Sequence, residues 1–314
     1  MSGKHTPSVL ADSDGIAWAV EILRGGGLVA IPTETVYGLA ARADSAAAVA
    51  RIFTAKGRPS FNPLIVHVTG VEQAGTLADM PPEIRRYAQN CWPGPVTLVL
   101  PRRGDAPLAQ AVSAGLDTVA IRVPRHGVAQ AVLHGLGVPL AAPSANRSGF
   151  VSPTTAQHVL NTLDGRIDLV LDGGPCEEGI ESTILKLRAD GQWEQLRPGP
   201  EDSSLWHSSQ FERQDIGDGA LIEAPGQLAS HYSPGKPLRL EASHAREGEY
   251  MIGFGAIAGD VTLSAGGSLA EAASRLYACL HAAAASDRPR IAVAPVPAQG
   301  IGLAINDRLR RAAA

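Results

Sequence analysis

Residues 28–68 read LVAI-PTETVYGLAARA-DSAAAVARIFTAK-GRPSFNP-LIVHV. Residues 28–31 are a short apolar run stopped by Pro32, which predicts a buried strand. Residues 44–54 carry Val49, Ile52 and Phe53 at helical spacing, which predicts an amphipathic helix ending near Lys56. Gly57, Pro59 and Pro63 then impose a stiff loop, and residues 64–68 return to an apolar, β-branched run. Outward from this strand–helix–strand unit the same elements recur without strict alternation. Helices are expected over 12–24 (Asp12 or Ser13 as cap, Gly25-Gly26-Gly27 as stop), 81–91 with proline in its first turn, 126–134 and 154–162. Strands are expected over 96–100, 118–123, 138–142, 168–171, 182–187 and 193–196. The irregular order predicts an α/β fold with a mixed sheet, not a doubly wound one.

Between 201 and 223 the composition changes: six acids accompany one arginine among Ser, Gln and Gly residues, which reads as a linker. A small α/β unit follows, with strands over 250–254 and 290–294 and helices over 268–285 and 301–311. The expected division is 1–200, a linker at 201–236 and a C-terminal domain at 237–314. No internal repeat is visible.

The chain has 314 residues, 45% of them hydrophobic, and a formal charge of −4. That is globular composition, and a protein built to hold RNA by its phosphates is usually basic. Three separated cysteines, Cys91, Cys176 and Cys279, fit neither a disulfide framework nor a paired metal site, which points to a reducing cytoplasm. No apolar run is long enough for a bilayer, and residues 1–9 lack a signal-peptide core. The histidines show no metal-ligand spacing; no G-x-x-x-x-G-K-[ST] and no G-x-S-x-G is present. Gly253-Phe254-Gly255 with Gly259 misses dinucleotide spacing by one residue and reads as a strand-end turn.

Five loops that follow or enter strands are rich in hydroxyls, amides and positive charge. In PTETVYGL (32–39) the two threonines alternate with a carboxylate, so both can point to one side. In KGRPSFNPL (56–64) two cations and an amide sit on a proline-stiffened loop. PSANRSG (143–149) leaves an apolar strand with exposed backbone N–H groups, a natural anion cradle. ESTI (181–184) enters a strand, and LRPG (196–199) leaves one with an arginine fixed before Pro-Gly, suited to clamp a phosphate. Each alone has an ordinary reading as a turn or helix end.

Together, in this order and at these separations, the five resemble the threonylcarbamoyl-AMP synthase, or YrdC-like, family over residues 12–200. PGQLASHYSPGKPL (225–238) resembles the interdomain linker of the family's two-domain form, and GIGLAINDRLRRAA (300–313) its closing helix. The resemblance implies an open twisted sheet around a large concave cavity. It implies an enzyme joining L-threonine, bicarbonate and ATP, with Mg²⁺ on the nucleotide, into threonylcarbamoyl-AMP and pyrophosphate. The product would pass to a tRNA threonylcarbamoyl transferase, with direct tRNA binding weak or absent. Carried over by position, Lys56 and Arg58 are implied as catalytic. Those two with Asn62, Thr118, Ser144, Asn146, Ser152, Arg197 and Tyr232 are implied to meet ATP. Thr35, His67, Arg122 and Ser182 are implied to meet threonine. Ala142 stands where many relatives carry a hydroxyl. The linker around His231 and Tyr232 is expected to cover the cavity. The rival expectations are an RNA-binding or ribosome-assembly module, disfavoured by the net acidity, and a carbamoyl-phosphate-using transferase, disfavoured by the absence of paired cysteines.

Overall fold

The computed structural model describes residues 5–188, 193–201, 223–227 and 230–314. Ten strands form the main sheet: β1 (Ser8–Leu10), β2 (Val29–Ile31), β3 (Gly38–Arg42), β4 (Ile65–His67), β5 (Val96–Pro101), β6 (Thr118–Arg122), β7 (Leu140–Ala141), β8 (Leu169–Asp172), β9 (Thr183–Leu187) and β10 (Trp193–Arg197). Their spatial order is β1-β8-β2-β3-β7-β4-β6-β5-β9-β10. Pairing is parallel at β1–β8, β8–β2, β4–β6 and β5–β9 and antiparallel at the other contacts, so the sheet is mixed as expected.

One face of this sheet is covered throughout. Ala30, Leu39, Val66, Leu98, Ile121 and Leu185 pack there with helices α2 (Ala46–Lys56), α4 (Pro82–Cys91) and α6 (Ala156–Leu163). The opposite face is covered over only half its width. Val29, Ile31, Ala40, Leu140 and Leu171 pack under α1 (Ser13–Arg24) and α5 (Gly127–Leu136). Across β4, β6, β5, β9 and β10 the same face carries Ile65, Ala120, Val99, Ile184 and Leu196. Their partner in that cluster is Ala224 from the linker, with no helix of the described residues. Side chains alternate along a strand, so His67 follows Ile65 and Arg122 follows Ala120 onto this uncovered face. The concavity is therefore made by a missing helix layer.

A second sheet, β11 (Leu238–Arg239), β12 (Glu249–Gly253), β13 (Val261–Thr262) and β14 (Arg290–Val293), runs in the order β11-β14-β12-β13 with every pairing parallel. It packs with α7 (Leu269–Ala285) and α8 (Gly302–Ala313). Its core also takes in Val36, Val151 and Ile180 from the first unit and Tyr232 from the linker. Gly179 marks how closely the units meet: a Cβ there would lie 2.4 Å from backbone atoms of Ser274.

Asp12 caps α1 by accepting from the Gly15 amide, and Ser45 caps α2, which continues to Lys56 before Gly57 turns left-handed (φ 61°). Several elements lie outside the sequence expectations: β1, β3, β11, β13 and the single turn α3 (Val71–Ala74). The largest is β3. Its Gly-Leu-Ala-Ala-Arg run has little intrinsic β-preference and is strand because β2 and β7 pair with its two edges. Most of the expected acidic linker, 202–222, lies outside the described residues. No helix among the described residues is long and apolar enough to cross a membrane.

Candidate active site

The uncovered face holds a cavity. Thr33, Thr35 and Val36, Arg58, the ends of β4 and β6, the segment from Ala142 to Ser144, the entry to β9, Arg197 and the linker residues Pro225, Gly226, His231 and Tyr232 all line it. Its free volume is about 40 Å³, room for a water or so, whereas ligand pockets run to several hundred Å³. The linker closes it. Arg197 Nη1 donates to Pro225 O at 3.3 Å, the Ser233 amide donates to Gly149 O at 2.8 Å, and Tyr232 is buried with a left-handed backbone (φ 64°).

At one corner Thr33 Oγ1 accepts from the Thr35 and Val36 amides and lies 2.9 Å from Thr35 Oγ1, so the two hydroxyls meet as expected, but through a tight bend closed on Thr33 and not through strand alternation. Arg122 reaches them from β6. Its Nη1 donates to Thr35 Oγ1 at 2.7 Å, Nε to Gly94 O at 3.3 Å, and Nη2 pairs with Glu34 Oε1 at 2.7 Å. Burial alone would raise the Glu34 pKa; the Arg122 charge outweighs it and holds the carboxyl at about 2. The guanidinium is thereby fixed in orientation, which suits it to receive a carboxylate. His67 stands beside this pair with Nδ1 unpartnered among the described residues. Burial first, then Arg122, lowers its pKa to about 3, so it is a neutral imidazole.

The other corner is cationic. Arg58 donates through Nη2 to Asn62 Oδ1 at 2.6 Å and Pro63 O at 3.0 Å. Burial lowers its pKa to about 10, with Tyr232 opposing and Arg197 assisting. Arg197 donates through Nε to Ser182 O at 3.0 Å and Nη2 to Ser182 Oγ at 3.1 Å, and Ser182 Oγ in turn lies 2.7 Å from Thr97 Oγ1. Two buried guanidinium groups on one cavity wall make an anion site in a low-dielectric setting.

Of the residues carried over from sequence, Thr35, Arg58, His67, Arg122, Ser144, Ser182, Arg197 and Tyr232 line one cavity, as does Ala142. Five others stand elsewhere. Lys56 Nζ is buried and donates to Ser144 O and Asn146 O at 2.5 Å each, so its ammonium braces the PSAN loop. Burial, then Arg58, pushes its pKa well below the lysine range. Asn146 Nδ2 closes its own loop onto Phe150 O at 2.7 Å, and Asn62 holds Arg58. Ser152 Oγ donates to Glu181 Oε1 at 2.6 Å beneath the cavity. Thr118 shares the Arg122 face but starts the strand, about 13 Å away at strand rise. His231 lines the cavity from the linker, as expected, whereas Thr33, Glu34, Glu181, Tyr277 and Arg308 carry no site role from sequence. Glu34 and Glu181 sat inside the quoted motifs, but nothing local tells a structural carboxylate from a solvated one.

Comparison with known proteins adds two family matches. Residues 21–199 match the Sua5/YciO/YrdC family, described as telomere recombination, and residues 194–314 match the threonylcarbamoyl-AMP synthase C-terminal domain. The threonylcarbamoyl-AMP synthase of Bacillus subtilis (strain 168) is 39% identical, covering 98% of this chain and 95% of that one. The enzyme of the same name from Pyrococcus abyssi (strain GE5 / Orsay) is 37% identical, covering 94% of each chain. The crystal structure of P. abyssi Sua5 complexed with L-threonine superposes with a TM-score of 0.87 at 34% identity, over 98% of this chain and 97% of that one.

Proposed function

This chain belongs to the threonylcarbamoyl-AMP synthase family, and from that premise we propose that its cavity joins L-threonine, bicarbonate and ATP into threonylcarbamoyl-AMP and pyrophosphate, for N6-threonylcarbamoyladenosine in tRNA. One observation carries the reading. A single cavity holds a pinned arginine beside two hydroxyls at one corner, a site for an amino-acid carboxylate, and two buried arginines at the other, a site for phosphates.

The chemistry needs no protein nucleophile. Threonine's free amine attacks bicarbonate carbon, water leaves, and N-carboxythreonine forms. A carbamate oxygen then attacks the α-phosphorus of ATP, the bond to the β-phosphate oxygen breaks, and pyrophosphate leaves. Arg122 and Thr35 hold the threonine carboxylate and neutral His67 offers a hydrogen bond beside them. Arg58 and Arg197 face the charge that builds at phosphorus. Lys56 contributes by holding the Ser144 loop in place. Mg²⁺ would enter as part of the nucleotide substrate, held mainly by the phosphates and water, as is usual for this ion. Glu181, the carboxylate that lines the cavity, has both oxygens engaged.

The small free volume supports a linker that opens for substrates and closes over a carbamate that water would destroy. Handing the product to a tRNA threonylcarbamoyl transferase fits an adenylate that must not linger in water. The RNA-binding alternative is not favoured: these cations are buried, whereas an RNA footprint needs them on the surface. The test is mass spectrometry after incubating the protein with ATP, Mg²⁺, bicarbonate and L-threonine, omitting each in turn. Threonylcarbamoyl-AMP that requires all of them is the expected result; its absence from folded protein overturns the reading.

A further inference from the structure

Glu181 is an anomaly in this cavity. It lines the wall that holds Arg58 and Arg197, where a polyanion must bind, and a carboxylate there opposes the ligand. It is also buried, which by itself disfavours a charge. Four contacts answer this, and two come from the second domain. Ser152 Oγ donates to Oε1 at 2.6 Å. On Oε2, Tyr277 of α7 donates at 2.7 Å and Arg308 Nε of α8 at 3.0 Å. Arg197 adds its charge from β10.

Arg308 is fully buried (0% exposed), which is rare for arginine without a charged partner. Its Nη1 donates to Asp307 Oδ2 at 2.8 Å, Nη2 has no partner among the described residues, and the guanidinium lies 5.7 Å from the Tyr232 ring centroid. It thus sits between the carboxylate in the cavity wall and the linker tyrosine that closes the cavity.

We infer that Arg308, supported by Tyr277, is a positioning residue for the ATP site: it cancels the charge of Glu181 and fixes that carboxylate, so that Arg58 and Arg197 present their charge to phosphate instead of to Glu181. This rests on the ATP-using reading of the cavity. The C-terminal domain is then a supplier of one charge to the active site. A buried carboxylate stripped of its partner would face the triphosphate, and repulsion between like charges at low dielectric is large. With Arg308 gone, Ser152, Arg197 and Tyr277 remain on Glu181, with His231, Tyr232 and Asp307 beside them; Arg58 and Lys56 lie beyond His231, and Arg311 pairs with Asp307. Of these Arg197 is the cation that acts on Glu181 directly, since burial holds His231 neutral and Arg58 is held by Asn62 and Pro63. Glu181 would therefore draw Arg197 toward itself.

The test compares Arg308→Met, Arg308→Lys and Arg308→Met/Glu181→Gln with the unaltered protein, reading KM for ATP and for threonine across pH. The unaltered protein in the same assay separates failure of the functional reading, no product at all, from failure of this one. Expected for Arg308→Met near about pH 8 is a rise in KM for ATP of about tenfold or more with KM for threonine changed less than about threefold. The defect should shrink as pH falls and Glu181 takes a proton, and Arg308→Lys should recover most of it. The double variant should return to within about threefold of the unaltered protein, because the offending charge is gone. Should Arg308→Met fail to fold, the double variant is still expected to fold. Equal losses in the single and double variants, losses shared equally by ATP and threonine, or a double variant that also fails to fold would each overturn the inference.

Discussion

Arg58 shows how one side chain can be held for chemistry and for structure together. Asn62 and Pro63 occupy its Nη2, and Gly57 ends α2 so that the loop turns it into the cavity. The Arg58→Ala variant removes a preorganised donor from the proposed phosphate wall, which should cost about 2–4 kcal/mol of barrier, or roughly thirty- to a thousandfold in turnover. The fold should survive, because α2 remains capped at both ends and its apolar face is untouched. Product formation and a thermal melt check both halves, and near-normal turnover would remove Arg58 from the mechanism. Ala142 is instructive in the other direction. It lines the cavity with a methyl group, so under the proposed function the selection of threonine would fall to Thr33, Thr35, His67 and Ser182.

At the level of elements, the linker does what a helix does elsewhere in the sheet. Ala224 fills the apolar gap over β4, β6, β5, β9 and β10, Pro225 meets Arg197, and Tyr232 inserts between the cavity and the second core. Gly226 is required there: its φ is +86°, and a Cβ would come within 2.9 Å of the Tyr232 hydroxyl and 3.2 Å of Arg197. Replacing residues 224–234 with a flexible Gly/Ser segment should leave ATP consumption measurable while product per ATP falls, because the carbamate is exposed to water. Counting AMP and pyrophosphate against threonylcarbamoyl-AMP reads this directly. An unchanged yield would mean that the linker does not protect the intermediate.

For the whole molecule, burial of neutral imidazoles sets the response to acid. Burial lowers the pKa of His67, His231 and His281 from 6.5 to about 3 in each case. In the unfolded chain these groups take up protons near the ordinary value, so their contribution is complete above about pH 6.5 and is lost as pH falls toward 3. Glu34 and Glu181, held at about 2 against an ordinary 4.5, add a second loss below about pH 4.5. Urea midpoints should therefore drop already between about pH 6.5 and 5, at up to about 1.4 kcal/mol per pH unit for each buried histidine. His281→Gln should flatten that upper limb. A midpoint constant down to about pH 5 would show that these histidines are solvated.

Sequence alone determined the mixed α/β class, most helices, the cap of the first, and the polar loops, because these rest on local periodicity and turn chemistry. The family resemblance grouped Arg58, Arg122, Ser182 and Arg197; the last three converge because the ends of β6, β9 and β10 share one end of the sheet, and Arg58 joins them from the loop after α2. Tertiary structure alone decided the rest. Gly38–Arg42 is a strand only through its neighbours on both edges. Lys56 sits at a helix end, where sequence places a cation but cannot say whether it turns to phosphate or to backbone carbonyls. Arg308 looks like Arg310 and Arg311 in an arginine-rich helix; which of the three is buried depends on how α8 docks against the first domain. Burial and partnership of charge are set by contacts between residues far apart in the chain, here Glu181 and Arg308 (|i−j| of 127), and no local pattern encodes them.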